Sequence, residues 1–152
     1  MPDVTKVIGI GSHHGDDVAG WVVADRLRHR ANLTAEVVLI RDAASMLDHL
    51  PGCDRLILID SCISGDTPGA VKRLEWPGAR LQTRWGTSTH GLSVCDALQL
   101  AEQLGRCPKE IVIFGIEAES FSRAVFFDAA NAPQLAGVEA LVVAELARTP
   151  DD

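Results

Sequence analysis

The chain reads as one α/β domain, a three-layer α/β/α sandwich around a five-stranded, mostly parallel sheet with one antiparallel strand. Three observations predict it. Short β-branched apolar runs alternate with segments of helical periodicity, as when helices cover both faces of a parallel sheet. One link between strands, Ser61–Gly69, is too short and polar to be a crossover helix, so the strand after it must reverse direction. At 152 residues the chain can bury a core as a single domain, 1–152, without metal or disulfide staples.

In order, Lys6–Gly11 is a strand covered on both faces, and Asp17–Arg30 a helix whose last turn is basic, as suits the helix dipole. Glu36–Ile40 is a second strand. Ala43–Leu50 is a short helix stopped by Pro51-Gly52. Arg55–Asp60 is a third strand, apolar on both faces and ending in a carboxylate. Ala70–Trp76 alternates Val71, Leu74 and Trp76 with Lys72, Arg73 and Glu75, the pattern of an antiparallel, half-exposed edge strand. Gly91–Leu104 is helical, with Gly105 and Pro108 as its stop. Glu110–Ile116 is the fifth strand, and Leu135, Val138, Leu141, Val142 and Leu146 mark a last amphipathic helix.

Composition excludes several classes of function. Hydrophobic residues make up 47% and charged residues 23%, but no apolar run approaches the ~20 residues that span a bilayer. Met1-Pro2-Asp3 does not open a signal peptide, so the cytoplasm is the expected compartment. A net charge of −7 without a basic cluster argues against nucleic acid and anionic membrane as partners. Cys53, Cys62, Cys95 and Cys107 form no C-x-x-C pair and read as thiols.

Ligands of open α/β sheets bind beyond the carboxyl ends of the strands. Asp16-Asp17 follow strand one, Asp60 ends strand three, and Ser88-Thr89-His90 precede the helix beginning near Gly91. A glycine loop at such a helix N-terminus usually cradles phosphate, but two carboxylates would repel an anion and suit a cation. Asp17, Asp60 and His90 make a three-ligand set for a borderline divalent ion such as nickel or zinc, with positions left open for water or substrate. Each also has a purely structural use: Asp17 as a helix-dipole partner, Asp60 as a loop cap, His90 as a residue leading into its helix. Asp16 suits the N-cap, which leaves Asp17 for the cleft. Gly20, inside the helix, costs ~1 kcal/mol against alanine, a cost that close approach of another backbone would explain.

A dinucleotide site fits poorly: His14 stands where the third small residue belongs, and Arg41-Asp42 puts a cation at the end of strand two. A cysteine hydrolase using Cys62 and His90 is the stronger rival, although Asp60 nearby would raise the thiol pKa.

These residues together resemble the hydrogenase maturation proteases. The resemblance runs from Val7 to about Leu146. It is carried by Gly-Ile-Gly-x-x-x-Gly-Asp-Asp-x-x-Gly at 9–20, Leu-Ile-Leu-Ile-Asp at 56–60, Pro68-Gly69, Ser88-Thr89-His90-Gly91-Leu92 and Gly115-Ile116-Glu117-Ala118-Glu119-Ser120. It implies a twisted, phosphorylase/hydrolase-like sheet and an aspartyl-protease-like hydrolase. The activity implied is endoproteolytic removal of a C-terminal extension, after a His or Arg, from the nickel-loaded precursor of the nickel–iron hydrogenase large subunit. It places the metal-contacting and catalytic roles on Asp17, Asp60 and His90. It also implies that nickel arrives with the substrate and that no tightly bound cofactor is needed. The alternative within the same pathway is a non-catalytic nickel-binding or chaperone module. The chain departs from the family at Ser12-His13-His14, where the histidines either add a ligand or face solvent, and at Asp42-Ala43-Ala44-Ser45, which replaces a glycine-rich turn.

Overall fold

The computed structural model describes residues 4–11, 19–62, 67, 69–77, 94–117 and 132–148. Its elements are β1 (Thr5–Ile10), α1 (Ala19–Arg28), β2 (Glu36–Ile40), a 3₁₀ helix (Ala43–His49), β3 (Arg55–Cys62), β4 (Val71–Trp76), α2 (Val94–Gln103), β5 (Glu110–Glu117) and α3 (Ala132–Ala147). The five strands form one sheet in the order β2-β1-β3-β5-β4. All neighbours are parallel except β4, which lies antiparallel to β5 at one edge, as the short Ser61–Gly69 link requires. No helix among the described residues is long and apolar enough to cross a membrane.

Alternation along the strands divides the core into two layers. Ile8, Ile10, Leu56, Leu58, Ile111 and Ile113 pack with the 3₁₀ helix and α2. Val7, Ile57, Ile59, Val112 and Phe114 pack with α1 and α3. Every residue of β3 is buried, which explains its unbroken apolar run. The segment 43–49 is 3₁₀ rather than α: Asp42 caps it by accepting the Ser45 N–H at 2.8 Å, so the departure from a glycine-rich turn has a local purpose. α2 ends as its sequence predicts. Gly105 takes φ +68° and Arg106 N–H donates to the Ala101 carbonyl at 2.9 Å, closing the helix.

Gly20 has the role its position in a helix suggested. A Cβ there would lie 2.4 Å from the Ile10 carbonyl oxygen and 2.7 Å from that of Ile59. On the facing strand, a Cβ at Gly9 would lie 2.5 Å from the Gly20 carbonyl oxygen and 2.6 Å from the Ala24 Cβ. The α1 backbone therefore rests directly on β1 and β3. Gly20→Ala forces backbone apart from backbone and should cost about 3 kcal/mol, at the top of the usual overpacking range, read as a lower urea midpoint.

The opposite end of the sheet is tied by a charge network that no local pattern announces. Glu145 on α3 is 7% exposed and accepts from Arg73 on β4 (Nη2 2.6 Å, Nε 3.2 Å) and from Arg148 (Nη2 3.1 Å). Arg55, 5% exposed at the start of β3, donates to the Arg148 and Glu145 carbonyls, and Arg148 reaches Glu110 at 2.6 Å. Burial alone would raise the Glu145 carboxyl, but hydrogen bonds from Arg73 and Arg148 outweigh it and hold the group below its ordinary 4.5. A depressed carboxyl stabilises the fold above its unfolded value and loses that contribution as pH falls through the folded one. Glu145→Ala should therefore cost about 3 kcal/mol at pH 7, since it strips the partner from buried Arg55 and from Arg73. In urea unfolding across pH, the gap to wild type should narrow as pH drops below 4.5.

Candidate functional site

The carboxyl ends of β1 and β3 lie side by side, with Gly9 opposite Ile59 in register. The loop between β1 and α1 carries the predicted carboxylates Asp16 and Asp17. Those two, with His13 and His14, lie outside the described residues, but both ends of the loop are described. Both are held by one atom: the Ile40 carbonyl at the end of β2 accepts the Gly11 N–H at 3.0 Å and the Trp21 indole N–H at 2.7 Å. Gly20, pressed against the Ile59 carbonyl, stands three residues after Asp17, and Ile59 immediately precedes Asp60. Backbone packing thus sets the start of α1 beside the end of β3.

Asp60 lies within β3 rather than at its end, because pairing continues through Ser61 and Cys62. It is 9% exposed, and its Oδ1 accepts the Ser61 N–H at 2.8 Å. Leu56 and Leu58 face α2, so Asp60 and Cys62 follow on that side of the sheet. Asp60 sits opposite Gly115 and Cys62 opposite Glu117. His90 lies outside the described residues. It stands four residues before Val94, the first residue of α2, which packs in the same core layer as Ile10 and Cys62. Of the predicted set the structure describes Asp60. Among the described residues, no three His, Cys, Asp or Glu side chains stand together as a metal site.

Two observations bear on the cysteine reading. None of the four cysteines forms a disulfide, and burial pushes the Cys53, Cys95 and Cys107 thiols up, as expected of structural cysteines. Cys62 is 3% exposed, a poor position for a nucleophile that must meet a peptide bond.

Sequence reading passed over one acid here. Glu117 is 3% exposed at the end of β5, which was expected to stop one residue earlier. The available signal was the one used for Asp60: a carboxylate closing an otherwise apolar strand.

Trp21→Phe removes the indole N–H that holds one end of the β1–α1 loop and leaves Gly11 on the shared carbonyl. It should cost about 1 kcal/mol in urea unfolding, the usual worth of one hydrogen bond.

The hydrogenase maturation protease family model (HycI) matches residues 22–134, about three quarters of the chain. The hydrogenase expression/formation protein HupD of Bradyrhizobium diazoefficiens is 29% identical over 121 residues, covering 73% of this chain. The chain spans 60% of the length of that relative. Among solved structures, the hydrogenase maturating endopeptidase HybD from Escherichia coli superposes with TM-score 0.78 at 20% identity, over 94% of this chain and 91% of that one. The NiFe hydrogenase maturation protease HybD from Thermococcus kodakarensis gives 0.70 at 21% identity, over 94% and 99%. At such identities the two structures bear on the fold, and they share this one.

Proposed function

The chain belongs to the hydrogenase maturation protease family, and from that premise we propose that it is the endopeptidase of a hydrogenase maturation step. In this reading it removes the C-terminal extension of a nickel-loaded nickel–iron hydrogenase large-subunit precursor, with the substrate's nickel as recognition element and the cytoplasm as compartment. The observation that carries it is the family match across residues 22–134, which contains both Asp60 and His90. Asp17 precedes the matched span and is assigned from its place after β1.

The proposed chemistry uses Asp17, Asp60 and His90 around the incoming ion. Asp60 is nearly buried, and low dielectric strengthens its pull on a cation or on a water proton. Asp17 or Asp60 orients or deprotonates the attacking water, while the substrate's ion polarises the scissile carbonyl. If the ion serves only as an anchor, positioning of the precursor carries the rate instead. In both routes the nickel comes and goes with the precursor, so the protein needs no stored cofactor.

Co-expression with a nickel-loaded precursor should shorten it by the mass of its extension, read by mass spectrometry. Asp17→Ala, Asp60→Ala and His90→Ala should each abolish the shortening. Normal processing by both the Asp17 and His90 variants would sink the site assignment. Binding without a change of mass would favour a chaperone role over proteolysis.

A further inference from the structure

The carboxyl edge of the sheet holds more charge than the three predicted residues. Asp60 on β3 lies opposite Gly115 on β5, and Gly115 lies opposite Lys72 on β4. Leu58, Ile113 and Leu74 pack in the core layer beneath α2. Strand residues two apart share a face, so Asp60, Gly115 and Lys72 form a row across that same face. The row reads carboxylate, gap, ammonium, because glycine puts no side chain between its neighbours. Two interstrand spacings separate its outer Cα atoms by ~9.6 Å, within reach of a long lysine stem leaning over the gap. Glu117 is the next residue beyond Gly115 on this face, diagonal to both Asp60 and Lys72.

Asp60 is 9% and Glu117 3% exposed, so two acids sit nearly out of water on neighbouring strands. Buried carboxylates require hydrogen-bonding or charged partners, and all three residues of this group are engaged in interactions. Within β3, β4 and β5, Lys72 is the basic residue on this face. Arg55 and Arg73 point to the other face, where they meet Glu145.

We propose that Lys72 is a positioning residue of the reaction centre, its ammonium balancing Asp60 and Glu117 and holding the Asp60 carboxylate toward the incoming cation or water. The inference rests on the endopeptidase reading and extends it to a residue that the edge-strand pattern presents as solvent-facing. One ammonium between two carboxylates leaves a single negative charge, so the edge still attracts a divalent ion. Lysine suits the role because its flexible stem can follow either carboxylate.

The test compares Lys72→Met, Lys72→Arg, Glu117→Gln and the double variant Lys72→Met/Glu117→Gln in the full chain. Precursor processing gives kcat and KM, and urea unfolding gives a cycle that needs no activity. Lys72→Met should lower kcat about tenfold or more with KM little changed, as loss of positioning does, and Lys72→Arg should restore most of it. The double variant should lose less urea midpoint than the two single losses added together, because removing one acid and one base together leaves the group's net charge as it was. Wild-type kcat in Lys72→Met overturns the positioning role, and additive urea midpoints overturn the charge balance. A wild-type chain that leaves the precursor intact defeats the endopeptidase reading and the positioning role with it, while the urea cycle still decides the charge balance.

Discussion

The constraint on which the rest depends is the absence of side chains between α1 and the sheet. Gly9 and Gly20 let the helix backbone meet the carbonyls of Ile10 and Ile59 at distances no Cβ would permit. A helix packed through ordinary side chains stands ~10 Å from its neighbour, as interaxial and intersheet spacings show. Here it sits closer, and its first turn rests on the neighbouring strands β1 and β3. The Ile40 carbonyl completes the arrangement by holding Gly11 and Trp21, on either side of the loop that carries Asp16 and Asp17. Rigid backbone, rather than flexible side chains, thus defines where that loop begins and ends. That suits a site whose parts come from separate elements.

The two ends of the sheet treat charge differently. At the amino end, Arg55, Arg73, Arg148, Glu110 and Glu145 share hydrogen bonds across β3, β4, β5 and α3. Three bases share two acids there, and the network ties α3 to the sheet. At the carboxyl end, two acids, Asp60 and Glu117, stand near one base, Lys72. A surplus of acids leaves attraction for a cation, whereas a surplus of bases does not. The same sheet is tied shut at one end and left receptive at the other.

What the sequence revealed follows the same physical division. Local signals were read well: the buried run of β3, the reversed β4 forced by a short link, Gly105 as a helix stop, Gly20 as a close approach. Asp60 stood out because an acid after an apolar run is a local anomaly, although the strand continues to Cys62. Lys72 did not, because on an edge strand a lysine among alternating residues looks solvated. Its meaning comes from Gly115 and Asp60 on two other strands, and register between distant segments leaves no mark in a single sequence. Glu145 and its arginines were hidden for that reason too, since their partners lie far apart in the chain. The 3₁₀ character of 43–49 was missed at finer scale. Its composition permits either helix, and the Asp42 cap accompanies the tighter one.

The charge count at the carboxyl edge bears on how the proposed reaction would treat its metal. In the proposed centre the acids Asp17, Asp60 and Glu117 outnumber the one base, Lys72, so the surplus favours a cation. Lys72 already answers one of those acids. An ion arriving alone would have to compete with a cation that is covalently part of the site and therefore at high effective concentration. An ion arriving in a precursor brings its other ligands and the contact surface of that protein, and these add to the attraction. A built-in ammonium lowers the electrostatic hold in both cases, and the added contacts leave delivered metal the better bound. In the proposed reaction that favours a loaded precursor over free ion.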